Sequence, residues 1–306
     1  MTRIATSMIN NSALTDLQRA QRDLFEAQRK TASQKESDDL KGYGRDARSV
    51  VNLERMRAKS EAFKSSAEEL TTRLELQDTY LGRVTDVTAD LKEKLTTALS
   101  LGDMASVNGE LTSAFADIKS AFNASLNGKY LFGGTASHEP PITAGNVDDL
   151  SDVPLTNSIS ADGDIVQIQI DENRKVNAGP LARTEAVGIL TVLRDLKVFN
   201  DVNEPFTDTP SQAQKDAVAQ AISALGTVHN DLLTTQAQNG QVLNQTDAVI
   251  ERHTTEADLM ESLTADITEV DLAEVAVQLN QAQLQFQATA SVFRTIQGLS
   301  LVDFLR

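Results

Sequence analysis

The longest regular pattern in the chain runs from Leu53 to Ala98. Steps alternating between three and four residues give Leu53, Met56, Ser60, Phe63, Ala67, Leu70, Leu74, Gln77, Leu81, Val84, Thr88, Leu91, Leu95 and Ala98. A seam of period 3.5 held this long predicts one continuous helix of coiled-coil type. At 1.5 Å per residue it would extend roughly 70 Å, too long to fold around itself, so it needs other long helices beside it. The sequence supplies them. Val107, Leu111, Phe115, Ile118 and Phe122 mark a shorter helical stripe. A second long seam follows "FTDTPSQ": Val218, Ile222, Leu225, His229, Leu232, Gln236, Asn239, Leu243, Thr246, Ile250, His253, Ala257 and Met260. Its middle is polar, which predicts weaker packing there or a face turned to solvent.

The two ends repeat the theme. Ala13, Leu17, Ala20, Leu24 and Ala27 form one stripe. Leu272, Val275, Leu279, Ala282, Phe286, Ala290, Phe293 and Ile296 form another. These segments read as two partners in one coiled coil. Their charges are complementary: residues 1–35 carry Arg3, Arg19, Arg22, Arg29, Lys30 and Lys35, and residues 261–306 carry Glu261, Asp266, Glu269, Asp271, Glu274 and Asp303. An antiparallel pair would bring the acids of 261–274 near Arg29, Lys30 and Lys35. Exposed ion pairs contribute only about 0.2–1 kcal/mol each, so they would set register more than stability.

Between these helical halves the pattern changes. From about Gly133 to Pro205 the chain reads as loops, strand and one short helix. Pro140-Pro141 bars a helix. Val166, Ile168 and Ile170 alternate with Gln167 and Gln169, as in a half-buried strand. Val187, Leu190, Leu193 and Leu196 mark the short helix. The expected fold class is therefore mainly α. A long antiparallel coiled-coil rod is made from both chain ends and carries a small α+β insertion at its tip. The expected divisions are terminal helices 1–40 and 265–306, a helical rod 41–136 and 206–264, and an insertion 137–205.

Composition narrows the function. The 306 residues are 40% apolar but only 4% aromatic, with no Trp, so the cores must be thin seams of Leu, Val, Ile and Ala. A formal net charge of -16 disfavours nucleic acid and anionic membrane surfaces as partners. With no Cys, disulfides, thiolate metal sites and Cys nucleophiles are excluded. No stretch approaches the roughly 20 apolar residues of a membrane span. The opening "MTRIATSMINNSAL" lacks the pattern of a cleaved secretory signal.

Catalytic and metal constellations are not apparent. His138, His229 and His253 have no zinc-type spacing, and His253 reads as a packed residue at a polar part of its seam. Asp38-Asp39 and Asp148-Asp149 sit among turn residues and lack the alternation of a calcium loop. Gly42-Tyr43-Gly44 has neither the preceding strand nor the Lys-Ser or Lys-Thr of a phosphate loop. The chain is expected not to be an enzyme and to need no cofactor.

The carboxy end runs against ordinary folding. The chain ends "TIQGLSLVDFLR", and half of those residues are Leu, Val, Ile or Phe. Chain ends normally fray and are seldom this apolar unless something ties them down.

Three segments resemble a known family. "MTRIATSMINNSALTDLQRAQRDLFEAQRKTASQKESDD", "NGKYLFGGT" and "LNQAQLQFQATASVFRTIQGLSLVDFL" are similar to the flagellar hook–filament junction proteins, the third hook-associated proteins of the flagellin superfamily. The likeness spans about 1–135 and 225–306. The turn "SQKESDDLKGYGRDA" departs from the family by lacking a Pro after its Asp pair. The resemblance implies an extracellular structural subunit of the bacterial flagellum, exported by the type III apparatus without a cleaved signal. It implies self-assembly into a ring, contact with the first hook-associated protein on one side and flagellin on the other, and a cytoplasmic export chaperone on the carboxy-terminal helix. Leu17, Leu24, Leu272, Leu279, Phe286, Phe293, Ile296, Leu299, Leu301, Phe304 and Leu305 would then be assembly residues. The terminal segments would become ordered only in the polymer. The alternative is a flagellin that forms the filament itself.

Overall fold

A computed structural model describes residues 2–152, 155–160 and 163–304, with side chains described except at 2–7, 9–10, 152, 156 and 298–304. The fold is mainly α, with long helices packed antiparallel and a small α+β insertion. It divides into two compact units, Met1–Lys59 with Glu256–Arg306, and Ser60–Thr255.

The first unit is built on helix α1 (Thr2–Ser33) and, from the other chain end, α7 (Leu272–Phe304). Helix α2 (Ala47–Leu101) starts in this unit and α6 (Gln212–Thr268) ends in it. Between α1 and α2 the chain makes a 3-10 turn, Leu40–Tyr43, in which the Asp39 carboxylate accepts from Gly42 N at 3.1 Å. The Asp38-Asp39 pair thus serves as cap and turn. The local order persists without the missing Pro. Tyr43 Oη donates to Ser37 O at 2.6 Å and closes the loop.

The second unit holds the main core. Along α2, Ala67, Leu70, Leu74, Gln77, Leu81, Val84, Thr88, Leu91, Leu95 and Ala98 are all buried, as the 3.5 period requires. Met56, in the first unit, departs from the seam and is exposed. Helix α3 (Val107–Phe122) buries its whole predicted stripe. It leads into a hairpin of β1 (Ser125–Leu126) and β2 (Lys129–Tyr130), whose turn residues Asn127 and Gly128 have φ of 52° and 77°. That is the left-handed pair a two-residue hairpin turn demands. The one-turn helix α4 (Asp149–Asp152) follows, then a hairpin of β3 (Gln167–Asp171) and β4 (Arg174–Asn177), then α5 (Ala182–Val198). Ile170 is buried against Ala67, Leu70, Leu74 and Val249. Gln167 and Gln169 face water, as the alternation predicts. In α5, Leu190, Leu193 and Leu196 are buried while Val187 is exposed, because Ile189 and Val192 share the inner face instead.

The polar middle of α6 does not turn to solvent. Asn239 is buried and its Nδ2 donates to the Leu74 carbonyl at 2.9 Å. Thr246 is buried and donates to Val242 O at 2.9 Å, and Thr85 Oγ1 donates to Gln236 Oε1 at 3.3 Å. These polar residues face inward because their hydrogen bonds offset the cost of desolvation. His253 is likewise buried, stacked on Phe63 with centroids 5.4 Å apart.

Polar anchors tie the loop and strand segments to α2, α5 and α6. Gln77 Nε2 and Arg73 Nη2 each donate to Leu131 O at 2.7 Å. Buried Lys197 donates to Asp148 at 2.7 Å and Asp201 at 3.1 Å, and the Asp148 hydrogen bond holds its ammonium above the ordinary lysine range. Asp171 pairs with Arg252 at 2.5 Å and is held below the usual carboxylate range, chiefly by the backbone N–H of Glu172. Gly179 has φ of 91°, and a Cβ there would strike the Gln77 amide. Gly179→Ala is therefore expected to cost at least about 1–3 kcal/mol of stability. A denaturant midpoint unchanged by that substitution would refute this close approach.

Candidate assembly surface

Among the described residues, no group of three or more His, Asp or Glu could hold a metal ion. No described helix is long and apolar enough to cross a membrane. The features that call for a functional explanation lie on the terminal helix pair.

Helices α1 and α7 pack antiparallel. Gln34 and Lys35, just past α1, meet Glu269 and Val270, just before α7, in an antiparallel bridge, with Glu36 N donating to Thr268 O and Val270 N to Gln34 O. Further along, Ala27 and Lys30 face Gln278 and Ala282, and Ala13 faces Thr289, Val292 and Ile296. The buried seam is Ala13, Ala20 and Ala27 on α1, with Val275 and Ala282 on α7. Four of these five side chains are single methyl groups. An Ala seam lets two helices approach closely, but it removes little apolar area from water.

The larger apolar residues of both stripes remain only partly covered. Leu17, Leu24, Leu279, Phe286, Phe293 and Ile296 are each half-buried. Leu272, expected in the seam, is the first residue of α7 and is 50% exposed, so the seam proper begins at Val275. Leu299, Leu301 and Phe304 fall within α7, but their side chains lie outside the described residues, as does all of Leu305.

A second apolar row lies outside the predicted stripe. Val277 is 56% exposed and Leu284 is 67% exposed. At 100° per residue each lies about 200° around the helix from the seam residue two positions before it, Val275 or Ala282. Helix α7 is thus apolar on two opposite faces, of which α1 covers one. Val292 and Ala288 border a groove of about 500 Å³ on the flank between the two helices. The polar positions of this helix are also unusual. From Val275 to Phe293 there is no Asp, Glu, Lys or Arg; the polar places are held by amides and by the hydroxyls of Thr289 and Ser291. Depletion of charge with retained apolar area marks the core of a protein interface rather than a free surface. On α1, Phe25 is 69% exposed, among Gln21, Arg22, Glu26 and Arg29.

The electrostatics differ from the expected pairing of ends. Arg29 bonds to Asp38 at 2.9 Å and Lys30 to Glu36 at 2.5 Å, both within the turn that follows α1. The Asp38 hydrogen bond holds the Arg29 guanidinium above its ordinary value. The acids of 261–274 are not the ion-pair partners of these two cations; the turn carboxylates are nearer in sequence and reach them first. What joins Lys35 to Glu269 is backbone bridging, and register is set there by main-chain hydrogen bonds.

The charge-free run and the second row, Val277–Leu284, were visible in the sequence as a heptad spacing offset from the first stripe.

About three quarters of the chain has counterparts among solved structures. A flagellar hook-associated protein from Vibrio parahaemolyticus superposes with a TM-score of 0.61 at 19% identity, covering 75% of this chain and 98% of that one. FlgL from Bacillus cereus superposes with a TM-score of 0.57 at 11% identity, covering 70% of this chain and 99% of that one. No family model and no curated protein matches the sequence. At these identities the likeness is one of fold.

Proposed function

We propose that this chain is a structural subunit of the bacterial flagellum that assembles at the junction between hook and filament. The observation that carries the reading is helix α7, which is free of charge from Val275 to Phe293 and apolar on two opposite faces, of which α1 covers one. Such a helix leaves an apolar row for a neighbour on the face away from α1, which suits a polymer better than a monomer. Likeness of fold to a hook-associated protein and to FlgL supports the flagellar setting.

In this reading, copies of the chain form a ring. One side of the ring meets the first hook-associated protein and the other meets flagellin. An export chaperone covers the carboxy-terminal helix before secretion through the type III apparatus. Leu17, Leu24, Leu272, Leu279, Phe286, Phe293, Ile296, Leu299, Leu301, Phe304 and Leu305 make the subunit contacts, joined by Val277 and Leu284. Ordering of the two ends is coupled to assembly, because the contacts between sister copies offset the entropy of fixing them.

The test is complementation of a null strain with a chain lacking residues 287–306. The shortened protein should keep a folded second unit and yield cells with hooks, no attached filaments and no motility. Normal filaments on such cells would sink the proposal. The amount of the full-length protein in sheared filaments separates the junction role, where it is scarce, from that of a filament-forming flagellin, where it dominates.

A further inference from the structure

We infer that Asn127 is a site of spontaneous deamidation and isoaspartate formation, and that the fold singles it out from the other Asn–Gly pairs of the chain. The reaction needs an Asn side-chain carbonyl that can be reached by the next residue's amide nitrogen, and no side chain on that next residue to hinder the approach. Three pairs meet the second condition by sequence: Asn108-Gly109, Asn127-Gly128 and Asn239-Gly240.

The fold restrains two of them. Asn239 lies in the middle of α6, is buried, and its Nδ2 donates to Leu74 O at 2.9 Å. Gly240 N–H is held in the helical ladder there, and the helical ψ points it away from the preceding side chain. Asn108 lies in α3, where its Oδ1 accepts from Lys197 Nζ at 3.4 Å. Asn127 has neither restraint. It and Gly128 are exposed at the tip of the β1–β2 hairpin, whose register ends at the Leu126–Lys129 pair. The Gly128 N–H stands outside that ladder, and both residues of the loop are open to water.

The chemistry balances with water alone. The Gly128 nitrogen bonds to Cγ of Asn127 and gives up its proton, the Cγ–Nδ2 bond breaks, and ammonia leaves. Water then adds to either carbonyl of the cyclic imide, and the C–N bond at that carbonyl breaks. One product is an ordinary aspartyl residue in the normal chain. The other is the β-linked isomer, whose backbone is one methylene longer. A two-residue turn has no room for the added atom. Its strands position the buried Leu131 and Phe132 through Tyr130 N to Ser137 O at 2.7 Å and Leu131 N to Ala124 O at 2.9 Å. The β-linked form should therefore loosen the core beneath the hairpin.

The experiment is incubation of the purified full chain at mildly alkaline pH and body temperature, followed by proteolysis and mass spectrometry of the three Asn–Gly peptides. A parallel sample is held in denaturant. In the native sample, conversion at Asn127 should exceed that at Asn108 and Asn239 by an order of magnitude or more, with isoaspartate as the main product. In denaturant the three should convert at comparable rates. Equal conversion of the three in the native chain would overturn the inference. So would an Asn127 that stays intact in the native chain, or one that leads by the same margin in denaturant.

Discussion

A chain carrying Val277→Glu and Leu284→Glu is expected to fold as the parent does and to fail entirely in assembly. Both positions are largely exposed in the isolated chain, and Glu is at least as good a helix former as Val and close to Leu. The stability of the monomer should therefore change by no more than about 0.5 kcal/mol per site. If a neighbouring subunit covers this row, each substitution forfeits about 1.5–3 kcal/mol of apolar burial and buries an unpaired carboxylate besides. Repeated at every subunit of a ring, that is enough to prevent closure. The measurement is motility and electron microscopy of complemented cells, beside circular dichroism of the purified protein. Motile cells with normal filaments would mean that this face of α7 remains in water. An unfolded monomer would mean that the row is already covered within the chain.

Phe122→Ala should produce the largest loss of stability among single core truncations. Its ring is fully buried and meets Phe132 edge to face, with centroids 5.3 Å apart. Removing it deletes apolar contact, leaves a cavity and strips Phe132 of its aromatic partner, at a cost of about 3–5 kcal/mol. For a unit of this size the melting temperature should fall by roughly 6–20 °C. Phe25→Ala is the control: its ring is exposed in the isolated chain, so its effect should stay within about 0.5 kcal/mol. A Phe122→Ala protein that melts with the parent would contradict the assignment of this ring to the core.

The helices were legible because their signal is periodic and local. The seam of α2 holds from Ala67 to Ala98 without a break, and every stripe residue of α3 is inside. The strand over Val166–Ile170 was legible for the same reason. Its partner β4 was not, because "RKVN" has one apolar residue and no alternation to show. The orientation of the polar stretch of α6 was also hidden. Whether an Asn at a seam position faces water or core depends on a carbonyl 165 residues away in the chain, and composition is silent on that. Charge misled at the end pairing. Counting acids and bases predicted attraction between the ends, but Arg29 and Lys30 had closer partners in Asp38 and Glu36. Along α7, a stripe drawn through Val275 and Ala282 leaves out the exposed row of Val277 and Leu284, which lies on the opposite face of the helix.

The absence of charge from Val275 to Phe293 also bears on salt. Contacts made by that stretch carry no ionic contribution, so added sodium chloride should leave them nearly unchanged. The Arg29–Asp38 and Lys30–Glu36 pairs of the turn after α1 should instead weaken as dissolved ions screen them.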